Sequence, residues 1–270
     1  MRERLSRKKL ILEWLGFFAS ASALIIATAI FQPGGLSLPR IGPRGNSPAA
    51  VDHAIANQQP EPARAFARSD PAPSLPQQVL LEVPFSPQAP FGDWSQPWAD
   101  ACEETSVSMA MAWVRNHDLT PDLAEREILN LVDFETYHFG YHRDTALRET
   151  QKLFTRYFGY ENVRLAYDIS LEDIKRELAR GSIVLVPASG RVLARENPYY
   201  QSPPPYHMVV VRGYDDESGE IVVNDPGTKR GRAFRYSYGL FISAIHDWTG
   251  DEETVLDGRS GMIVVSRESK

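Results

Sequence analysis

The sequence predicts an α+β protein, its helices gathered in the first half of the folded region and its antiparallel strands in the second. Helix-start signals and 3.6-residue periodicity cluster between residues 98 and 180, whereas strand–turn–strand patterning fills 207–225 and a last apolar strand lies at 261–266. No internal repeat, Walker loop or dinucleotide fingerprint interrupts this pattern.

The N-terminal 31 residues are set apart. "MRERLSRKK" carries Arg2, Arg4, Arg7, Lys8 and Lys9 against the single acid Glu3, and an apolar run from Leu10 to Phe31 follows, interrupted by Glu13 near its start. Those positions reach about 33 Å as a helix, enough to cross a bilayer core. The basic flank holds that end in the cytoplasm and places the rest outside. Ala27-Thr28-Ala29 resembles a signal-peptidase site, but the run is long for a signal segment, so residues 1–31 read as an uncleaved single-pass anchor. If the segment is cleaved, the protein is secreted.

Residues 32–77 hold nine of the chain's 20 prolines and show no apolar period. Such a stretch cannot bury enough surface to fold and reads as a disordered tether. Residues 78–270 carry 20 basic against 30 acidic side chains, a net of −10. An acidic domain without a basic stripe argues against nucleic acid. One cysteine excludes an intrachain disulfide.

Within the domain, "QVLLEVPF" reads as a strand and leads into a loop with Gln88 and Trp94. "WADACEETSVSMAMAWV" follows, where Asp100 and Glu103 have capping-box spacing and the helix is apolar nearly all round, hence buried. Thr120-Pro121 opens a helix to about Val132. Asp144 caps a helix to Phe158, stopped by Gly159. Ser170 and Asp173 open "LEDIKRELAR", closed by Gly181, and "SIVLVPA" is a buried strand. A Pro- and Tyr-rich loop spans 189–206 and is placed to wall a cleft. "HMVVVRGYDDESGEIVVNDPG" is a strand, turn and strand, and "GMIVVS" closes the domain.

Three residues in this layout carry chemistry. Cys102 lies in the first turn of its helix, where unpaired N–H groups and the dipole favour a thiolate. Glu103 and Glu104 oppose this if they face the sulfur, so the thiol needs a cationic partner. The competing reading is a small core residue. His207 opens the hairpin and Asp225 closes it. A three- or five-residue connection puts both on one face, where a carboxylate could hold the imidazole; a four-residue connection brings Asn224 there instead. His138 and His142 are four apart, but Gly140 lies between them and no third ligand follows, so no metal and no cofactor is called for.

Four segments in order, "VPFSPQAPFGDW", "ACEETSVSMA", "YHMVVVRGYDD" and "VNDPGTKRG", resemble the bacterial family C39-like cysteine peptidases, papain-like relatives of the bacteriocin-leader-processing peptidase domains. The resemblance covers about residues 79–267. It implies a papain-like fold with the cysteine helix packed on an antiparallel sheet. It implies Cys102 as nucleophile, His207 as general base and acid, Asp225 as the acid orienting it, and Gln88 as oxyanion-hole donor. Glu103 departs from the glycine that many members carry there, and a charged neighbour raises the thiol pKa or narrows the cleft. The expected protein is therefore a peptidase of peptide or protein substrates, anchored in the bacterial cytoplasmic membrane with its catalytic domain outside. Another amidase or acyltransferase, acting for example on cell-wall amides, and an inactive binding module are the alternatives.

Overall fold

The computed structural model describes residues 74–268. The anchor expected over 1–31 and the tether up to residue 73 lie outside them. Among the described residues no helix is long and apolar enough to cross a membrane.

Runs of β-branched and aliphatic residues form the middle of one antiparallel sheet. β3 (Ile183–Ala188) is buried at every position and β4 (His207–Asp215) at all but the last. The strand order is β2 (Val163–Tyr167), β7 (Gly261–Val265), β3, β4, β5 (Glu220–Asn224) and β6 (Phe234–Ser237). β1 (Gln78–Leu80) pairs with the far half of β4, continuing the edge that β3 takes on the near half.

Strands buried throughout need cover on both faces. α1 (Cys102–Arg115), α2 (Pro121–Phe139) and α3 (Leu147–Lys152) pack on the face that presents Ile183, Leu185, Met208 and Val210. α4 (Leu171–Ala179), α5 (Gly190–Leu193) and α6 (Tyr238–Ala244) pack on the face with Val184, Val186, Val209 and Val211. The α+β expectation is borne out, and the cysteine helix lies on the sheet as expected: α1 is buried from Cys102 to Trp113. Its Ser106 hydroxyl donates to the Met208 carbonyl of β4 at 3.3 Å.

Several boundaries move. α1 starts at Cys102 behind a 3-10 turn at Trp98–Asp100, with no side-chain cap at Ala101. Asp100 is not the N-cap; it pairs with Arg143 at 2.6 Å, and Glu103 turns inward. α2 runs past Val132 to Phe139 because its stop signal is Gly140, in the left-handed region at φ 85°. Asp144 does not cap α3 either. That helix begins three residues later, and Asp247, distant in sequence, accepts its Leu147 N–H at 2.9 Å. The Ser170/Asp173 capping box forms as expected. The sequence pattern does not announce β2, β6 or α6, and α5 is a short helix within the stretch 189–206 read as a loop.

The hairpin decides how the candidate site is built. Asp215 pairs with Glu220, so the connection has the four residues that, in an unbroken ladder, would bring Asn224 to the face of His207. The ladder is broken. A bulge between Val211 and Gly213 shifts the register by one, pairing Val210 with Asn224. The next position outward from Asn224 is Asp225, on the face shared by Val209 and His207. Arg212, the extra residue, is held by a 2.7 Å bond from Nε to the Leu81 carbonyl. A side chain at Gly213 would collide with the Val79 carbonyl of β1.

Candidate active site

Asp225 is fully buried and collects five donors. His207 Nε2 lies 2.8 Å from Oδ1, and the Gly227 N–H donates to the same oxygen at 3.0 Å. The Tyr200 hydroxyl lies 2.9 and 3.0 Å from the two oxygens, Tyr236 donates to Oδ2 at 2.7 Å, and Asn197 Nδ2 reaches it at 3.3 Å. Burial alone would raise the Asp225 pKa. The His207 charge and the bonds from His207, Tyr236 and Tyr200 outweigh it and hold the carboxyl below its usual range. An anion thus stands against His207. With Nε2 committed to Asp225, the ring leaves Nδ1 for a second partner.

The "NDPG" turn is built around this pair. Asn224 does not face His207. Its amide donates to the Val83 and Pro84 carbonyls, each at 3.1 Å, and its oxygen accepts the Ala233 N–H at 3.1 Å. The Pro226 carbonyl accepts the Gln88 N–H at 2.9 Å. A Cβ at Gly227 would sit 2.8 Å from the Tyr200 hydroxyl and 3.0 Å from His207 Cε1, so only glycine lets both rings approach.

On the other side stands Cys102, 5% exposed, its Sγ donating to Glu103 Oε2 at 2.8 Å. Burial first, then the Glu103 charge, push the thiol well above its ordinary value. A pKa lowered by the helix start, as the sequence suggests for Cys102, is therefore outweighed. The hydrogen-bond partner of Sγ in this structure is Glu103, not His207. Gln88 sits beside the start of α1, its Nε2 donating to the Trp98 and Ala99 carbonyls at 2.9 and 2.8 Å. Both amide hydrogens are engaged there, and Oε1 is buried without a partner.

A family model described as Peptidase_C39 like matches residues 80–249, well over half of the chain. The chain belongs to the C39-like peptidase family. Among solved structures, a Bacillus anthracis protein assigned as a C39-like peptidase resembles it at 15% identity with a TM-score of 0.48. That match covers 72% of this chain and all of the other. No curated protein matches.

In this C39-like domain, sequence reasoning missed the hydroxyl collar of Asp225. Tyr200 lies in the loop singled out as a cleft wall, so its neighbourhood, though not its bond, was legible. Tyr236 lies on β6, which carried no signal. The inward turn of Glu103 was also missed: its Oε1 accepts the Thr145 N–H at 2.7 Å, a contact no local pattern encodes.

Proposed function

We propose that this C39-like protein is a membrane-tethered cysteine peptidase that hydrolyses peptide bonds on the outer side of the cytoplasmic membrane. Cys102 is the nucleophile, His207 the general base and acid, and Asp225 the acid that orients it. The observation that carries this reading is the buried His207–Asp225 pair at 2.8 Å, which leaves Nδ1 as the proton-accepting atom. The basic flank and apolar run of residues 1–31 support the tether and the topology.

The chemistry follows from these groups. The thiol turns from Glu103 to His207 and gives up its proton. The thiolate then attacks the acyl carbonyl. The developing oxyanion is met by the Cys102 N–H, unpaired at the helix start, and by Gln88 Nε2 once it releases one carbonyl. The C–N bond breaks, His207 gives its proton to the departing amine, and water then cleaves the thioester.

The raised thiol pKa and the engaged Gln88 amide favour a second reading, a binding module that keeps the fold without turnover. The two separate by mass spectrometry of peptides released from a mixed peptide library by the full chain and by its Cys102→Ala form. New cleavage products with the wild type alone are expected. Identical spectra, with the library left intact, would favour the binding module.

A further inference from the structure

Glu103 is held at both ends. Its Oε1 accepts the Thr145 backbone N–H at 2.7 Å while its Oε2 accepts the Cys102 S–H at 2.8 Å, and the residue is fully buried. A backbone N–H can only donate, so Oε1 stays an acceptor in either protonation state. When Glu103 takes up a proton, that proton therefore sits on Oε2 and points at Sγ. The contact then reverses, and a carboxylic O–H donates to the sulfur from which the carboxylate had accepted.

We propose that Glu103 is a further catalytic residue that sets the charge of the nucleophile: ionised, it holds Cys102 as the thiol, and protonated, it donates to the attacking thiolate. In the reactive form the thiol proton resides on His207 and Glu103 carries one taken from solvent. The groups facing this pair are Glu104 on α1, Glu135 on α2, Asp144 before α3, and Tyr200 and Tyr206 before β4. All are acids or phenols, and the base proposed to share the site is His207. Burial, then the Glu104 charge, place the Glu103 pKa well above the usual carboxylate range. Proton uptake consequently occurs at a higher pH than for an exposed glutamate. Acidification through that pKa favours the thiolate-compatible form, and the carboxylate above it opposes ionisation of the sulfur.

The inference rests on Cys102 being the nucleophile, but its test reads the sulfur's protonation and not turnover. Retention of turnover by Cys102→Ala would end the peptidase reading without deciding this one. The sole cysteine makes alkylation of the full chain by iodoacetamide site-specific. Rates are taken from about pH 5 to about pH 9, each divided by its own value at about pH 5, where the raised pKa keeps wild-type Glu103 protonated, so that access to the buried thiol cancels. In Glu103→Gln the amide oxygen takes the Thr145 N–H and the NH2 faces Sγ, imitating the protonated acid. Above the Glu103 pKa the variant should react about tenfold faster than wild type, with the ratio falling toward one as the pH drops through it. A ratio of one at every pH, or a slower variant, would overturn the proposal. If Glu103→Gln does not fold, the S–H Raman band of the wild type at a pH above the Glu103 titration decides. A band lowered in frequency by hydrogen bonding is expected, and one at the free-thiol position overturns the proposal.

Discussion

Asp225→Asn is expected to lower turnover by about a thousand- to ten-thousand-fold, the scale on which a triad acid matters. Five donors converge on its two oxygens. An amide offers one oxygen and sets an NH2 against hydroxyl and N–H groups that already donate. The substitution should also destabilise the domain by about 3 kcal/mol, because a buried network loses its only anion. That cost separates this site from one where an acid merely touches histidine at the surface. Asn224→Ala should behave in the opposite way. It loses two carbonyl partners and the Ala233 N–H, so it should cost about 1–3 kcal/mol of stability with a much smaller loss of turnover. Turnover of a cleaved library peptide, with urea unfolding as control, checks both. A large catalytic loss from Asn224→Ala beside a mild one from Asp225→Asn would contradict the observed register.

The second large effect is on stability against pH. Glu104 on α1 and Glu135 on α2 are fully buried, face each other, and have acids as the dominant charges around them. Burial, then the Glu135 charge, raise the Glu104 pKa well above the carboxylate range. Burial likewise raises that of Glu135 from 4.5 to about 8. Folded-state pKa values above the unfolded ones mean that the native state keeps protons the unfolded chain has released. The stabilisation is complete below 4.5 and is lost as pH rises from there through about 8. Each carboxyl still protonated in the native state weakens folding by about 1.4 kcal/mol per pH unit in that window. The urea midpoint should therefore fall steadily between about pH 6 and about pH 9. Glu104→Gln supplies an NH2 to a Glu135 carboxylate, so it should flatten the slope and stabilise the domain by about 1–3 kcal/mol at the alkaline end. A midpoint that is flat or rises over this range would show that the two carboxyls are not held protonated in the folded state.

What was legible in the sequence was what periodicity and local chemistry encode. "SIVLVPA" announced a buried strand because every position after Ser182 is apolar, and Ser170 with Asp173 announced a helix start because both capping bonds lie within four residues. Asp100 and Asp144 misled for the complementary reason. Each has the spacing of a cap, yet a long-range partner, Arg143 for the first and Asp247 in place of the second, decided the local structure. The pairing of His207 with Asp225 was open because hairpin length alone does not fix register. The bulge at Arg212 fixes it, and that bulge depends on β1 and Leu81, which meet β4 only after folding. Tyr236 and Thr145 were silent because their partners lie 11 and 42 residues away, with no motif joining them.

The central claim is that Cys102 attacks substrate and carries the acyl group. It is tested most directly by quenching the full chain in acid during turnover of a cleaved peptide and reading the mass of the fragment that bears Cys102. The account predicts an added acyl mass on that fragment matching the N-terminal part of the substrate, absent from Cys102→Ala together with all cleavage. Cleavage that persists in Cys102→Ala, with no adduct on the wild-type fragment, would contradict it.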